Sequence, residues 1–193
     1  MFRRRSFLKS SSLIAGGLIL PKLSFKPKKI NQKKLKIAVV GCGGRGTGAA
    51  VQALKADNNV ELVTLADAFK DRLEASLNAI KDEFEGEMEI NIKEKNKFVG
   101  FDAYKKAIDK SDVVILASPP GFRPAHFEYA IDKNKHVFME KPVATDAHGV
   151  RQVLNSARKA KEKNLNVVVG LQRRYQKSYL SAKKQIDRGM IGK

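Results

Sequence analysis

From residue 35 onward, short wholly apolar runs alternate with longer stretches in which apolar positions recur about every 3.6 residues. The runs fall at 37–40, 60–66, 113–117, 136–139 and 167–169. Their hydrophobicity is continuous rather than alternating, which predicts strands covered on both faces, as in a parallel sheet lined by helices. Amphipathic helices are predicted between them, near 45–56, 70–83, 102–109, 124–133 and 146–163. In the last of these, Val150, Val153, Leu154 and Ala157 predict one apolar stripe against the sheet. Strand alternating with helix means an α/β fold, a doubly wound parallel sheet of the Rossmann type. The charged segment 85–97 fits neither period and reads as a surface excursion. After Val169 the chain passes through Gln172, Arg173, Arg174 and Tyr175 into a last amphipathic stretch.

Composition narrows the class without changing that picture. With 42% hydrophobic and 30% charged residues, and no apolar run of 18, the chain reads as globular with no permanent membrane span. A length of 193 residues holds one full domain and a short appendage, so a two-domain enzyme would not fit. The net charge of +18 suggests nucleic acid only until it is located. Residues 1–36 hold 11 of the 38 bases and no acid; the remaining 27 bases against 20 acids leave +7. No interleaved basic and aromatic surface accompanies the charge, so no nucleic-acid partner is expected.

The N-terminus reads as an address. Arg3-Arg4-Arg5-Ser6-Phe7-Leu8-Lys9 precedes a short apolar stretch at 13–20, then Pro21 and a lysine-rich linker. This resembles a twin-arginine export signal, and the apolar stretch is too short to cross a bilayer. The expected location is periplasmic. The only cysteine, Cys42, has no intrachain partner, which suits a protein folded before export.

Candidate chemistry starts at Gly41-Cys42-Gly43-Gly44-Arg45-Gly46, a G-x-G-x-x-G that follows the first strand and opens a helix. Glycines there allow a tight turn, close approach of backbone to pyrophosphate, and helix-on-strand packing. The helix N-terminus offers free N–H groups to the phosphates. Asp67 ends the second strand, 21 residues past Gly46, where a carboxylate accepts from ribose hydroxyls and repels a 2′-phosphate. NAD is therefore expected over NADP. Asp67 would equally serve as a helix cap, and the two roles are compatible.

Two further segments lie at the carboxyl edge of the sheet, where ligands of open α/β sheets bind. Ser118-Pro119-Pro120-Gly121 is either a loop stiffened against the cofactor or an ordinary turn, with Pro124 in the first turn of the next helix. Glu140-Lys141-Pro142 is either a solvated pair before a turn or a reactive lysine. In the second case partial burial would lower the lysine pKa towards acid–base use.

These residues, with His126, the stretch 135–142 and 170–175, resemble in order the Gfo/Idh/MocA oxidoreductases, which include glucose-fructose oxidoreductase and inositol dehydrogenase. The likeness covers 35–193. It implies a substrate-contacting, catalytic Lys141, a cis bond before Pro142, Arg173 near the nicotinamide end and His126 lining the cofactor cleft. Gly41, Gly43, Gly44, Arg45, Gly46, Asp67, Ser118, Pro119 and Glu140 complete the cofactor set, with Tyr175 beside the substrate; His136 and His148 read as structural. Where inositol dehydrogenases commonly carry an acid after this tyrosine, the chain has Gln176, which argues against inositol itself.

The expected organisation is a signal and linker at 1–34, an NAD-binding domain at 35–175, and a connecting helix at 176–193 that leads to a substrate domain outside this sequence. The intact protein, expected as a homo-oligomer, would exchange hydride with a sugar or polyol; no metal is needed. A glycosidase or lyase acting by transient oxidation, and a non-catalytic nucleotide-binding module, are the alternatives.

Overall fold

The computed structural model describes residues 33–192, so the export pattern at 3–9 and its apolar stretch lie outside the described residues. The strands are β1 (Leu35–Val40), β2 (Val60–Asp67), β3 (Lys97–Val99), β4 (Val113–Leu116), β5 (His136–Met139) and β6 (Val167–Val169). They form one parallel sheet in the order β3-β2-β1-β4-β5-β6. The helices are α1 (Gly44–Ala56), α2 (Lys70–Glu83), α3 (Ala103–Asp109), α4 (Arg123–Asp132), α5 (Ala147–Glu162), α6 (Gln172–Tyr175) and α7 (Lys177–Asp187). None is long and apolar enough to cross a membrane.

Strand β1 shows why a continuous apolar run is required. Successive side chains point to opposite faces, and here both faces are core. Ile37 and Val39 join Ala49, Ala50 and Leu54 of α1 and Leu73, Leu77 and Ile80 of α2. Ala38 and Val40 join Ala107 and Ile108 of α3, Phe127 and Ile131 of α4, and Val153 and Ala160 of α5. At roughly 25 cal/mol per Å² of apolar area removed from water, each such side chain contributes on the order of 1–3 kcal/mol. Connections from β1 run outward to β2 on one side while β4 lies on the other, so a crevice opens at the carboxyl ends of β1 and β4.

Two expectations are corrected. Segment 85–97 is not simply a surface excursion: Ile90 and Ile92 are buried in the α1–α2 core, and Lys97 begins the edge strand β3. The buried stripe of α5 is Gly149, Val153, Ser156 and Ala160, whereas Val150 and Leu154 are exposed. This face packs on α4 through small residues; a Cβ on Gly149 would lie 3.1 Å from Pro124 Cγ. The predicted last stretch forms α7, which buries no residue among those described.

Candidate functional site

The turn from β1 to α1 is built by its glycines. Gly41 has φ +97°, and a Cβ there would lie 2.4 Å from the Ser118 backbone nitrogen. A Cβ on Gly46 would lie 1.9 Å from the Gly41 carbonyl oxygen. These two glycines close the loop on β4 and seat α1 on the turn. Gly43 and Gly44 differ, since among the described residues nothing lies within 4 Å of a Cβ on either. Gly43 caps α1 with no side-chain hydrogen bond, and the first turn contains no acid. Free N–H groups at a helix end beneath open space form a cradle for phosphate oxygens.

Asp67, at the end of β2, braces this loop. Its Oδ2 accepts from Cys42 N at 2.6 Å and its Oδ1 from Phe69 N at 2.9 Å. The helix-cap alternative is thus modified, because the carboxylate holds the turn before α2 while Phe69 is the cap residue. Each oxygen keeps a lone pair for ribose. Burial, then the Asp67 charge, pushes the Cys42 thiol up to about 12, so it is an inert wall rather than a nucleophile.

The opposite wall comes from β4, β5 and the loops after them. Buried Ser118 Oγ and His126 Nδ1 share a hydrogen bond of 3.0 Å, and His126 stacks on Tyr104 at 4.1 Å. Burial, and behind it the Arg123 cation, pushes the imidazole down to about 4, so it is neutral at physiological pH. Glu140 is buried beside Gly170, where a Cβ would lie 2.9 Å from its Oε1. Arg45 reaches across from the glycine loop, donating from Nε and Nη2 to that same oxygen at 2.7 Å. The Lys141–Pro142 peptide is cis, as the resemblance implied.

These walls enclose one cleft of about 740 Å³. It brings together Gly41, Gly43, Arg45, Asp67, Ser118, Pro119, His126, Glu140 and Lys141, residues far apart in the chain. Gly46 is buried beneath the loop, and Gly44 lines a groove on its other side. Arg173 and Tyr175 are not on the cleft: Arg173 lies over the Tyr179 ring at 5.1 Å, Tyr175 is exposed, and Gln172 lines the cleft instead. Lys141 is exposed, so the partial burial expected for it is not provided by residues 33–192. Sequence reasoning also missed Phe69, Phe101 and Phe122, which give the cleft apolar walls suited to flat rings. Their only trace was an aromatic shortly after three successive strands. Buried Arg123, missed as well, is taken up below.

Residues 35–170 match the oxidoreductase family with an NAD-binding Rossmann fold, the Gfo/Idh/MocA family. The chain belongs to this family. Inositol 2-dehydrogenase of Salmonella paratyphi B is 29% identical over 161 residues, covering 82% of this chain and 43% of that protein. Among solved structures, myo-inositol 2-dehydrogenase from Lactobacillus plantarum superposes with a TM-score of 0.63 at 29% identity, covering 83% of this chain and 43% of that one. Scyllo-inositol dehydrogenase from Lactobacillus casei, determined with bound NAD(H) and scyllo-inositol, superposes with a TM-score of 0.62 at 26% identity and the same coverage. The chain thus spans less than half the length of these relatives. The glycine loop and Asp67 belong to the family's NAD-binding part.

Proposed function

We propose that this chain is the nucleotide-binding half of an exported NAD-dependent oxidoreductase acting on a sugar or polyol. One observation carries the reading: the phosphate cradle at Gly43, the Asp67 carboxylate and the Lys141 ammonium all face a single cleft. The backbone of Gly43 and Arg45 receives the pyrophosphate, and Asp67 accepts from the adenosine ribose. A nicotinamide held in this cleft would supply the carbon that takes or returns a hydride. Lys141 binds the reacting hydroxyl and moves its proton. Glu140 holds the Arg45 guanidinium at the rim between cradle and lysine. We assign the cover over Lys141 to a substrate domain in the part of the relatives' length that this chain does not span, and the exposed Leu171, Leu180 and Ile186 to contact with that domain or a second subunit.

The relatives named for inositol make cyclic polyols the first substrates to try, while Gln176 argues against inositol itself. The test incubates full-length protein, with and without added NAD, with a panel of cyclic polyols, alditols and aldoses singly and in pairs, and follows both NADH and the sugar products. Turnover with at least one polyol or aldose is expected. Tight nucleotide binding with no hydride exchange across the panel would reduce the protein to a binding module.

A further inference from the structure

Arg123 opens α4 with its guanidinium buried, although a cation in the first turn sits at the wrong end of the helix dipole. Local helix energetics therefore do not explain an arginine here. Its contacts do. Nη2 donates to the Ser118 carbonyl, in the loop after β4, and Nη1 donates to the Pro142 carbonyl, one residue past Lys141. Both acceptors are uncharged backbone oxygens, Nε has no partner among the described residues, and burial lowers the guanidinium pKa while the Glu140 carboxylate opposes that. A planar fork with two donors is the group that spans two carbonyls from fixed directions; a lysine ammonium is a single point. The two loops so joined carry the cofactor wall, at Ser118 and Pro119, and the proposed reacting group.

We propose that Arg123 is a positioning residue that ties the Lys141-Pro142 turn to the Ser118 loop and so fixes where the Lys141 ammonium stands over the cofactor. The inference rests on the reading of Lys141 given above. Arg123 lines the same cleft, but in this role it acts through Lys141 rather than on the reacting atoms. It sets the geometry of that lysine, and misplacement by about 1 Å is enough to cost on the order of a hundredfold in rate.

The test uses full-length protein and four forms: wild type, Arg123→Lys, Lys141→Ala and the double variant, with Arg123→Gln as a second probe. Turnover, NAD affinity by calorimetry, thermal unfolding and amide exchange at Val143 and Ala144 are read for each. Arg123→Lys should lower kcat roughly tenfold or more, leave NAD affinity within about threefold and speed exchange at Val143. Lys141→Ala should lower kcat by roughly a hundredfold. Because both act through one group, the double variant should be no slower than Lys141→Ala. If Lys141→Ala turns over normally, the reading of Lys141 fails and takes this proposal with it. If Lys141→Ala is impaired but Arg123→Lys is not, only the positioning role fails. Multiplicative losses in the double variant would overturn it too, as would loss of NAD binding or folding in both Arg123 variants, which would make the arginine a general structural post.

Discussion

Asp67 uses one carboxylate for two purposes, and this determines what its replacement should do. It braces the glycine loop through Cys42 N and stands where ribose hydroxyls arrive. Asp67→Ser should weaken NAD by roughly tenfold, the worth of one charge-assisted hydrogen bond, and NADP less, because the charge opposing a 2′-phosphate goes as well. Titration of both nucleotides measures the ratio; equal wild-type affinity for the two would sink the assignment. His126 offers a pH test. Its pKa falls from the usual 6.5 to about 4 in the fold, so between those values the unfolded chain binds more protons. Stability is therefore complete above about pH 6.5 and is lost as pH falls through about 4, by at most roughly 3 kcal/mol. Urea unfolding of wild type and His126→Phe at about pH 7 and about pH 5 should show the smaller acid loss in the variant. Equal losses would mean that His126 is not held neutral. The glycines and Asp67 were legible because spacing along the chain fixes them. Arg123 was not, since its partners, Ser118 and Pro142, are set by the tertiary fold. Arg173 and Tyr175 lie off this cleft among the described residues, because past β6 sequence likeness gives a residue's order in the chain but not its direction.

At the scale of elements, the β1–α1 junction separates packing glycines from binding glycines, and the two classes should fail differently. Gly46→Ala drives a methyl group into the Gly41 carbonyl. The helix must shift, so stability should fall by about 1–3 kcal/mol together with NAD affinity. Gly43→Ala meets nothing within 4 Å among the described residues, so the fold should stand while the methyl group occupies the space that a phosphate needs. Thermal unfolding with calorimetric NAD binding checks both, and unchanged affinity in Gly43→Ala would remove the phosphate from that loop. The same reasoning explains α5. Periodicity identifies a helix, but its large apolar residues Val150 and Leu154 lie one step around from the true contact. Close packing on α4 selects the small face of Gly149, Ser156 and Ala160 instead. Strand β3 is three residues long at a sheet edge, too short to carry a period of its own, whereas the two-faced burial of β1, β2 and β4 gave those strands continuous runs.

For the whole molecule, the consequence to test joins the basic N-terminus to the cofactor cleft. If residues 1–34 direct twin-arginine export, the protein crosses the membrane folded, into a space where free nicotinamide nucleotide is not expected. An enzyme that released its coenzyme each cycle would then stop after one turnover. The cofactor should therefore be loaded before export and remain in the cleft, whose apolar walls at Phe69, Phe101 and Phe122 and arginine reach from Arg45 to Glu140 suit retention. A coenzyme that never leaves must be restored in place, so the net reaction should be redox-neutral, coupling oxidation of one sugar to reduction of another or of the same one. Retention also has a stability signature, because a ligand bound only by the folded state raises the unfolding temperature in proportion to the logarithm of its excess over Kd. Full-length protein purified from the periplasm should release close to one NAD per chain on denaturation, turn over without added coenzyme, and unfold at higher temperature than protein stripped of nucleotide. Protein that emerges empty and needs millimolar NAD for turnover would overturn both the retention and the redox-neutral cycle.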